Sequence, residues 1–263
     1  MNNIKVGFIG AGNMGSALAR AVALTGAEVS IYDLDAQKRK SVADSISAKA
    51  VNLSELVDES DFIFLGVKPQ GLGAIASELA PMLEDKNKII VSMLAGVSTG
   101  TLNQTLGARV IRIMPNTSVG IGEGVVLWTT DGSIDEAECK TFEAILSKAG
   151  VVDRISEDKI DAATAISGCG PAFVYMFIDA LAKGGVACGL DYDKSLLYAA
   201  QTLIGASKNL IASQKTAEEL KNAVCSPNGS TIEGVRSLEA NDLDRVVGEA
   251  VSASYKRTVE LGK

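Results

Sequence analysis

The sequence predicts an α/β domain built on a parallel sheet followed by an all-helical domain, and three observations lead there. From Lys5 to Ile155 short apolar, β-branched runs alternate with helix-like stretches of about ten to twenty residues. After Ser156 no strand-like run survives. With 47% hydrophobic and 22% charged residues and no low-complexity tract, the composition is that of a folded chain, and 263 residues suit one large domain or two modest ones.

Taken in order, the strand-like runs are Lys5-Ile9, Glu28-Tyr32, Phe62-Val67, Ile89-Ser92 and Val110-Ile113. Strands alternating with helices predict a parallel sheet covered on both faces. Gly124-Thr129 and Val151-Ile155 flank a helical Ser133-Ala149 segment, whose Asp135 and Glu136 suit a helix start. These two runs complete the sheet, with order and direction left open. Beyond Ser156 the stretches Asp158-Ser167, Pro171-Gly185, Tyr192-Ser213, Ala217-Val224, Ser230-Leu238 and Asp242-Leu261 read as helices. The expected division is therefore 1–155 and 156–263. Ala172-Ala182 is apolar nearly all round, with Asp179 its one charge. Such a helix predicts self-association through the carboxyl-terminal helices, or else a place at the centre of a compact bundle.

Charge and composition remove several function classes. The 25 basic against 32 acidic residues give a formal charge of -7, and no basic run marks a nucleic-acid face. Met1 to Gly10 lacks the charged start and long apolar middle of a secretory signal, and each apolar run elsewhere is broken by Gly, Lys, Asp or Glu. The expectation is a cytoplasmic protein with neither nucleic-acid nor membrane partner. Cys139, Cys169, Cys188 and Cys225 lack a C-x-x-C pair and read as reduced packing thiols, so no metal site is expected. Histidine is absent, which excludes Ser-His and Cys-His nucleophiles and imidazole acid-base chemistry.

The strongest motif is the run Gly10-Ala11-Gly12-Asn13-Met14-Gly15, a G-x-G-x-x-G that follows the first strand and opens the helical stretch Ser16-Leu24. Gly10 permits the tight turn, Gly12 lets backbone approach a pyrophosphate, Gly15 lets helix and strand pack, and the helix amino end attracts phosphate. This context predicts a Rossmann-like dinucleotide-binding domain. Asp33 ends the second strand, where a carboxylate accepts hydrogen bonds from ribose hydroxyls and repels a 2′-phosphate, a leaning toward NADH. Lys38, Arg39 and Lys40 offer counter-charges to that phosphate, or form a solvated basic face, so NADPH stays open. Val67-Lys68-Pro69, Leu94-Ala95-Gly96 and Asn116 all fall at carboxyl ends of strands, where open α/β sheets bind ligands, and are further cofactor-binding candidates. Gly229, Ser230 and Thr231 open a helix, and its exposed N–H groups form an anion site or simply a capped turn.

The succession G-x-G-x-x-G, Val67-Lys68-Pro69, Met114-Pro115-Asn116-Thr117, Ser167-Gly168-Cys169-Gly170-Pro171-Ala172 and Ser226-Pro227-Asn228-Gly229-Ser230-Thr231 resembles pyrroline-5-carboxylate reductase along nearly the whole chain. The resemblance implies an enzyme that moves a hydride from NADPH or NADH to the C=N of a cyclic imino acid, 1-pyrroline-5-carboxylate, giving L-proline as the last step of proline biosynthesis. It implies an all-α dimerisation domain, a substrate carboxylate held by Ser226, Gly229, Ser230 and Thr231, and Thr231 as the catalytic hydroxyl near the ring nitrogen. The chain departs from the family pattern at three places. Asn228-Gly229-Ser230-Thr231 stands where Gly-Gly-Thr-Thr is common, Cys169 where Ser is usual, and Ser118 where Pro is usual.

A protonated imine is already electrophilic, so positioning and electrostatics suffice and the missing histidine is no obstacle. The rival 3-hydroxyacid or 6-phosphogluconate dehydrogenase type shares the architecture. It needs a lysine one helical turn after Gly170-Pro171-Ala172, whereas the next one here, Lys183, lies about three turns on. A non-catalytic NAD(P)H sensor is the other alternative, and it has no use for the Ser226-Thr231 anion loop.

Overall fold

The computed structural model describes residues 4–84 and 86–261. Met1 to Asn3 and Gly262 to Lys263, which fall inside the two expected domains, lie outside the described residues. The chain divides into two compact units, one running to Cys169 and resuming at Ser254, the other spanning Gly170–Ala253.

The first unit carries an eight-stranded sheet in the order β3-β2-β1-β4-β5-β6-β7-β8. Its strands are β1 (Lys5–Ile9), β2 (Glu28–Tyr32), β3 (Lys49–Ala50), β4 (Phe62–Leu65), β5 (Ile89–Ser92), β6 (Arg109–Pro115), β7 (Gly124–Thr130) and β8 (Gly150–Arg154). All neighbours are parallel except β6 and β7, which pair antiparallel with Ile113 opposite Trp128. The helices between them are α1 (Asn13–Ala23), α2 (Ala36–Ser45), α3 (Leu53–Glu59), α4 (Leu72–Leu83), α5 (Thr99–Leu106) and α6 (Glu136–Ile145).

Alternation along the strands builds two cores. Val6, Phe8, Phe62, Phe64 and Val91 face one side with Leu18, Trp128 and Phe142. Ile9, Ile63, Leu65, Ile90 and Val110 face the other with Leu56, Leu79 and Leu102. Mostly buried strands are rich in β-branched and aromatic residues, which is why β1, β2 and β5 begin and end where the sequence predicts. β3 goes unpredicted because its two residues are exposed and carry no apolar signal. The Phe62-Val67 run leaves the sheet after Leu65, where Gly66 and Val67 turn away. Asp135 begins α6 with a capping box closed by Glu138, so the helix starts after Asp135 rather than at Ser133.

Helix α7 (Glu157–Ser167), expected among the helices of the second part, packs on β6 and β7 of the first unit. The break in packing thus falls at 169/170 rather than at 155/156, because α7 has a sheet face to cover. The second unit contains α8 (Gly170–Ala187), α9 (Tyr192–Ala212), α10 (Ala217–Ala223), α11 (Ser230–Ala240) and the first part of α12 (Leu243–Leu261). Within it α8 and α9 pack along each other, with Gly185 against Ser195. Tyr175, Met176, Leu197 and Tyr198 are each more than half exposed. An apolar surface of that extent requires a partner.

One expectation needs correction. α7 and α8 follow each other across the two-residue turn Gly168-Cys169, and the combined stretch Glu157–Ala187 is long and apolar enough to cross a membrane by length and composition. The charges that were expected to interrupt it sit toward its ends, and only a small share of its most apolar window is buried.

Candidate active site

Gly10 has φ +103° and accepts its place in the turn by donating its N–H to the Tyr32 carbonyl at 2.8 Å. A side chain there would strike the Gly66 carbonyl, and one at Gly15 would run into the Gly10 carbonyl. Both glycines are therefore required by the protein's own backbone. Gly12 differs: a Cβ added there meets nothing within 4 Å. The fold leaves that space open, and it lies at the amino end of α1, whose Gly12 N-cap supplies no side-chain hydrogen bond. The first N–H groups of α1 have no partner within the helix. Open space beside unpaired donors and the positive end of a helix dipole suits a pyrophosphate.

Asp33 stands beside this turn. Its Oδ2 accepts the Ala11 N–H at 2.7 Å and its Oδ1 accepts the Asp35 N–H at 3.0 Å, while the Lys38 ammonium lies 3.7 Å from Oδ2. Burial pushes the carboxyl up, but the N–H donors of Asp35 and Ala11 and the Lys38 charge outweigh it and hold Asp33 below the usual carboxylate range. A carboxylate has about four acceptor sites, so roughly two stay free for ribose hydroxyls. Gly10, Gly12, Asp33, Lys38, Val67 and Lys68 line one cleft of about 440 Å³ at the carboxyl ends of β1, β2 and β4. That size suits part of a dinucleotide. Leu34, 89% exposed, adds an apolar wall the sequence reading passed over.

The other expected cofactor residues stand apart from that cleft. Asn13, Met14 and Gly15 form the first turn of α1, and Pro69 opens a 3-10 turn, Pro69–Gly71. Leu94 is fully buried and its N–H donates to Ser92 Oγ at 3.3 Å, so it supports the loop from beneath and is closed to a ligand. Ala95 and Gly96 follow in the turn into α5, with Gly96 at φ +74°. Asn116 is largely committed within the protein: its amide donates to the Ser167 carbonyl at 2.9 Å and its Oδ1 accepts from Ser118 and Val125. Ser118 is thereby explained, because a proline at that position has no N–H to donate. Cys169 donates its N–H to the Thr164 carbonyl in the turn after α7.

Ser226, Gly229, Ser230 and Thr231 belong to the second unit. The Gly229 N–H donates to the Ser226 carbonyl at 3.0 Å, and Asn228 takes a left-handed φ of 61° that permits the turn. A Cβ on Gly229 would collide with the Ser226 hydroxyl. Gly229 caps α11 in an extended conformation and, having no side chain, leaves the first N–H groups of the helix without a side-chain acceptor from the cap. Ser230 and Thr231 are exposed at the helix start. The arrangement offers N–H donors and two hydroxyls to an anion. Among the described residues no cluster of His, Cys, Asp or Glu could hold a metal ion.

Comparison with known proteins fits this geometry. The family model for pyrroline-5-carboxylate reductase dimerisation matches residues 157–261, and one for coenzyme F420-dependent NADP oxidoreductase matches residues 5–96. The pyrroline-5-carboxylate reductase of Aquifex aeolicus is 36% identical over 262 residues, covering 98% of this chain and 97% of the relative. That of Methanosarcina acetivorans is 35% identical over the full length of both chains. The chain belongs to the pyrroline-5-carboxylate reductase family. Among solved members, the Plasmodium falciparum enzyme with NADP bound is 31% identical with a TM-score of 0.89, covering all of both chains. The Coxiella burnetii enzyme reaches a TM-score of 0.92 at 26% identity, again over both whole chains. Prephenate dehydrogenase of Aquifex aeolicus, at 16% identity and a TM-score of 0.54, shares the fold alone.

Membership of the pyrroline-5-carboxylate reductase family makes the chain an NAD(P)H-dependent oxidoreductase acting on the C=N bond of a small imino acid, and favours neither hydroxyacid dehydrogenase nor sensor. It also accounts for the apolar helices. The dimerisation match begins at residue 157 and includes the whole Glu157–Ala187 stretch, so its exposed side chains serve self-association rather than a bilayer. Members of the family are generally soluble.

Proposed function

We propose a residue-level account of how this chain performs the family reaction. Gly10, Gly12, Asn13, Met14 and Gly15 receive the cofactor pyrophosphate on backbone N–H groups, and Asp33 accepts the adenosine ribose hydroxyls. Val67, Lys68, Pro69, Ala95, Gly96 and Asn116 form the nicotinamide side, with Leu94 beneath and Ala95 and Asn116 nearest the ring. The bound nicotinamide supplies the hydride. In the second unit Ser226, Gly229, Ser230 and Thr231 hold the substrate carboxylate at the start of α11, and the Thr231 hydroxyl orients the ring nitrogen. Residues 1–155 thus bind the cofactor and 156–263 carry the substrate site and self-association, with α7 at the head of the second part packed on β6 and β7. Asp33 makes NADH the preferred donor, with Lys38 moderating that preference, and the protein works in the cytoplasm.

The observation that carries this reading is the open space at Gly12 between the uncapped α1 and the ionised Asp33. Protein side chains do not need it empty, so a ligand is the physical reason for a glycine there. The test follows loss of NADH and NADPH absorbance by the purified protein with 1-pyrroline-5-carboxylate, with Thr231→Ala beside it. Turnover weakened at least about tenfold in the variant, the worth of roughly one lost hydrogen bond in a site, is the expected result. Undiminished turnover in Thr231→Ala would remove Thr231 from the mechanism.

A further inference from the structure

The two loops assigned to the nicotinamide ring arise from adjacent strands, with Ser92 of β5 paired to Arg112 of β6, and the Asn116 loop is also tied internally, its Oδ1 accepting from Ser118 and Val125. Gly96 with its positive φ interrupts one, and Asn116 opens the other. Helix α7 touches both. Glu157, its first residue, accepts the Thr99 N–H at 2.8 Å and the Thr99 hydroxyl at 2.7 Å, and Thr99 opens α5 directly after the Ala95-Ser98 turn. Ser167, its last residue, accepts the Asn116 amide at 2.9 Å. Between these ends Arg112 reaches Glu157 at 3.5 Å and Asp161 at 2.9 Å.

Two details argue that the Glu157 contact does more than end a helix. Ser98 Oγ caps α5 through the Thr101 N–H alone, and Glu157 takes the Thr99 N–H that this cap leaves over together with the Thr99 hydroxyl, so the first residue of α5 is tied to α7. Arg112 is almost wholly buried and its Nε has no hydrogen-bond partner, an arrangement that costs stability and is compensated only by the two carboxylates of α7. A charged residue is thus held in the sheet beneath these loops in order to grip α7.

We propose that α7 is a brace for hydride transfer, with Glu157 as its positioning residue: the Glu157–Thr99 and Ser167–Asn116 contacts set the spacing between the Ala95 and Asn116 loops. This rests on the reading that those loops flank the nicotinamide ring. Since Ala11, Asp33 and Lys38 take no part in the brace, the adenine end of the cofactor site is independent of it.

The test compares Glu157→Ala, Glu157→Gln and Thr99→Val in the full-length protein, measuring single-turnover hydride transfer, the Kd for ADP-ribose and the thermal midpoint. ADP-ribose reports the adenine end alone. Glu157→Ala is expected to slow hydride transfer by about tenfold to a hundredfold, the usual effect of a displaced reacting group, while ADP-ribose binding stays within about twofold. Glu157→Gln, which keeps the acceptor, recovers most of the rate. Thr99→Val, which removes one hydroxyl and leaves the N–H, shows the same pattern at about threefold to tenfold and serves if Glu157→Ala does not fold. An unchanged rate overturns the proposal, as does a rate that falls only in step with ADP-ribose affinity and thermal midpoint. Ala95→Leu separates the two ideas: if it is silent the loop assignment fails and the brace with it, and if it is damaging while Glu157→Ala is silent the brace alone fails.

Discussion

Replacing Asp33 by asparagine tests the electrostatic origin of cofactor choice. The wild-type carboxylate is ionised, its side chain is 16% exposed, and two backbone N–H groups hold it at the mouth of the cleft. A 2′-phosphate at the same ribose would bring negative charge to about 4 Å, where each like-charge pair costs about 1 kcal/mol in water and about 4 kcal/mol at the effective dielectric of a protein surface. Lys38, 3.7 Å from Asp33, attracts the phosphate and returns part of this. The net discrimination against NADPH is then about 1–2 kcal/mol, or roughly fivefold to thirtyfold in kcat/KM. Asp33→Asn removes the repulsion and leaves Lys38, so the NADPH/NADH ratio of kcat/KM should rise by that factor. Lys38→Ala should move the ratio the other way. The assay is initial rates with each cofactor at saturating 1-pyrroline-5-carboxylate. An unchanged ratio in Asp33→Asn, or a shift toward NADH, would refute the reasoning.

Other outcomes follow from the same geometry. Gly12→Ala should leave the thermal midpoint unaltered, because its Cβ meets no protein atom, while weakening NADH binding by at least about tenfold in a fluorescence titration. Gly15→Ala forces a Cβ against the Gly10 carbonyl and should cost about 1–3 kcal/mol of stability in denaturant unfolding. Among the depressed folded-state carboxyls are Asp33, where the N–H donors and Lys38 overcome burial, and Glu138, through its hydrogen bond to Arg109. Their stabilisation is present above the ordinary values of 3.8 and 4.5 and is lost as pH falls below them, so acid unfolding should shift to higher pH in Glu138→Gln. Met176→Arg places a charge on the exposed apolar face of α8 and should lower the assembly mass seen by light scattering, whereas an unchanged mass would exclude that face from the interface.

Much of the molecule was legible in its residues because the signals were short-ranged. Short β-branched runs mark β1, β2 and β5, Asp135 and Glu136 mark the start of α6, and glycines at 10 and 15 mark a turn against a helix. The succession of motifs from Gly10 to Thr231 carried the family. The open space at Gly12 was inferable only as a need, since emptiness is a property of packing. Tertiary structure alone decided the rest. Lys49-Ala50 becomes a strand only because β2 pairs with it, and it is the packed sheet that shows β7 antiparallel to β6 and parallel to β8. The sequence marked α7 as a helix and grouped it with the helices that follow, as the dimerisation match from residue 157 does, while its packing on β6 and β7 came from the tertiary structure. Glu157 finds Thr99 across 58 residues and Arg112 across 45, and Asp33 finds Ala11 across 22. Periodicity, capping and turn chemistry are set by residues within a turn or a strand of each other, so a sequence states them directly. Which carboxylate meets which N–H across the chain depends on how the layers close on one another, and that is fixed only when the sheet and its helices have packed.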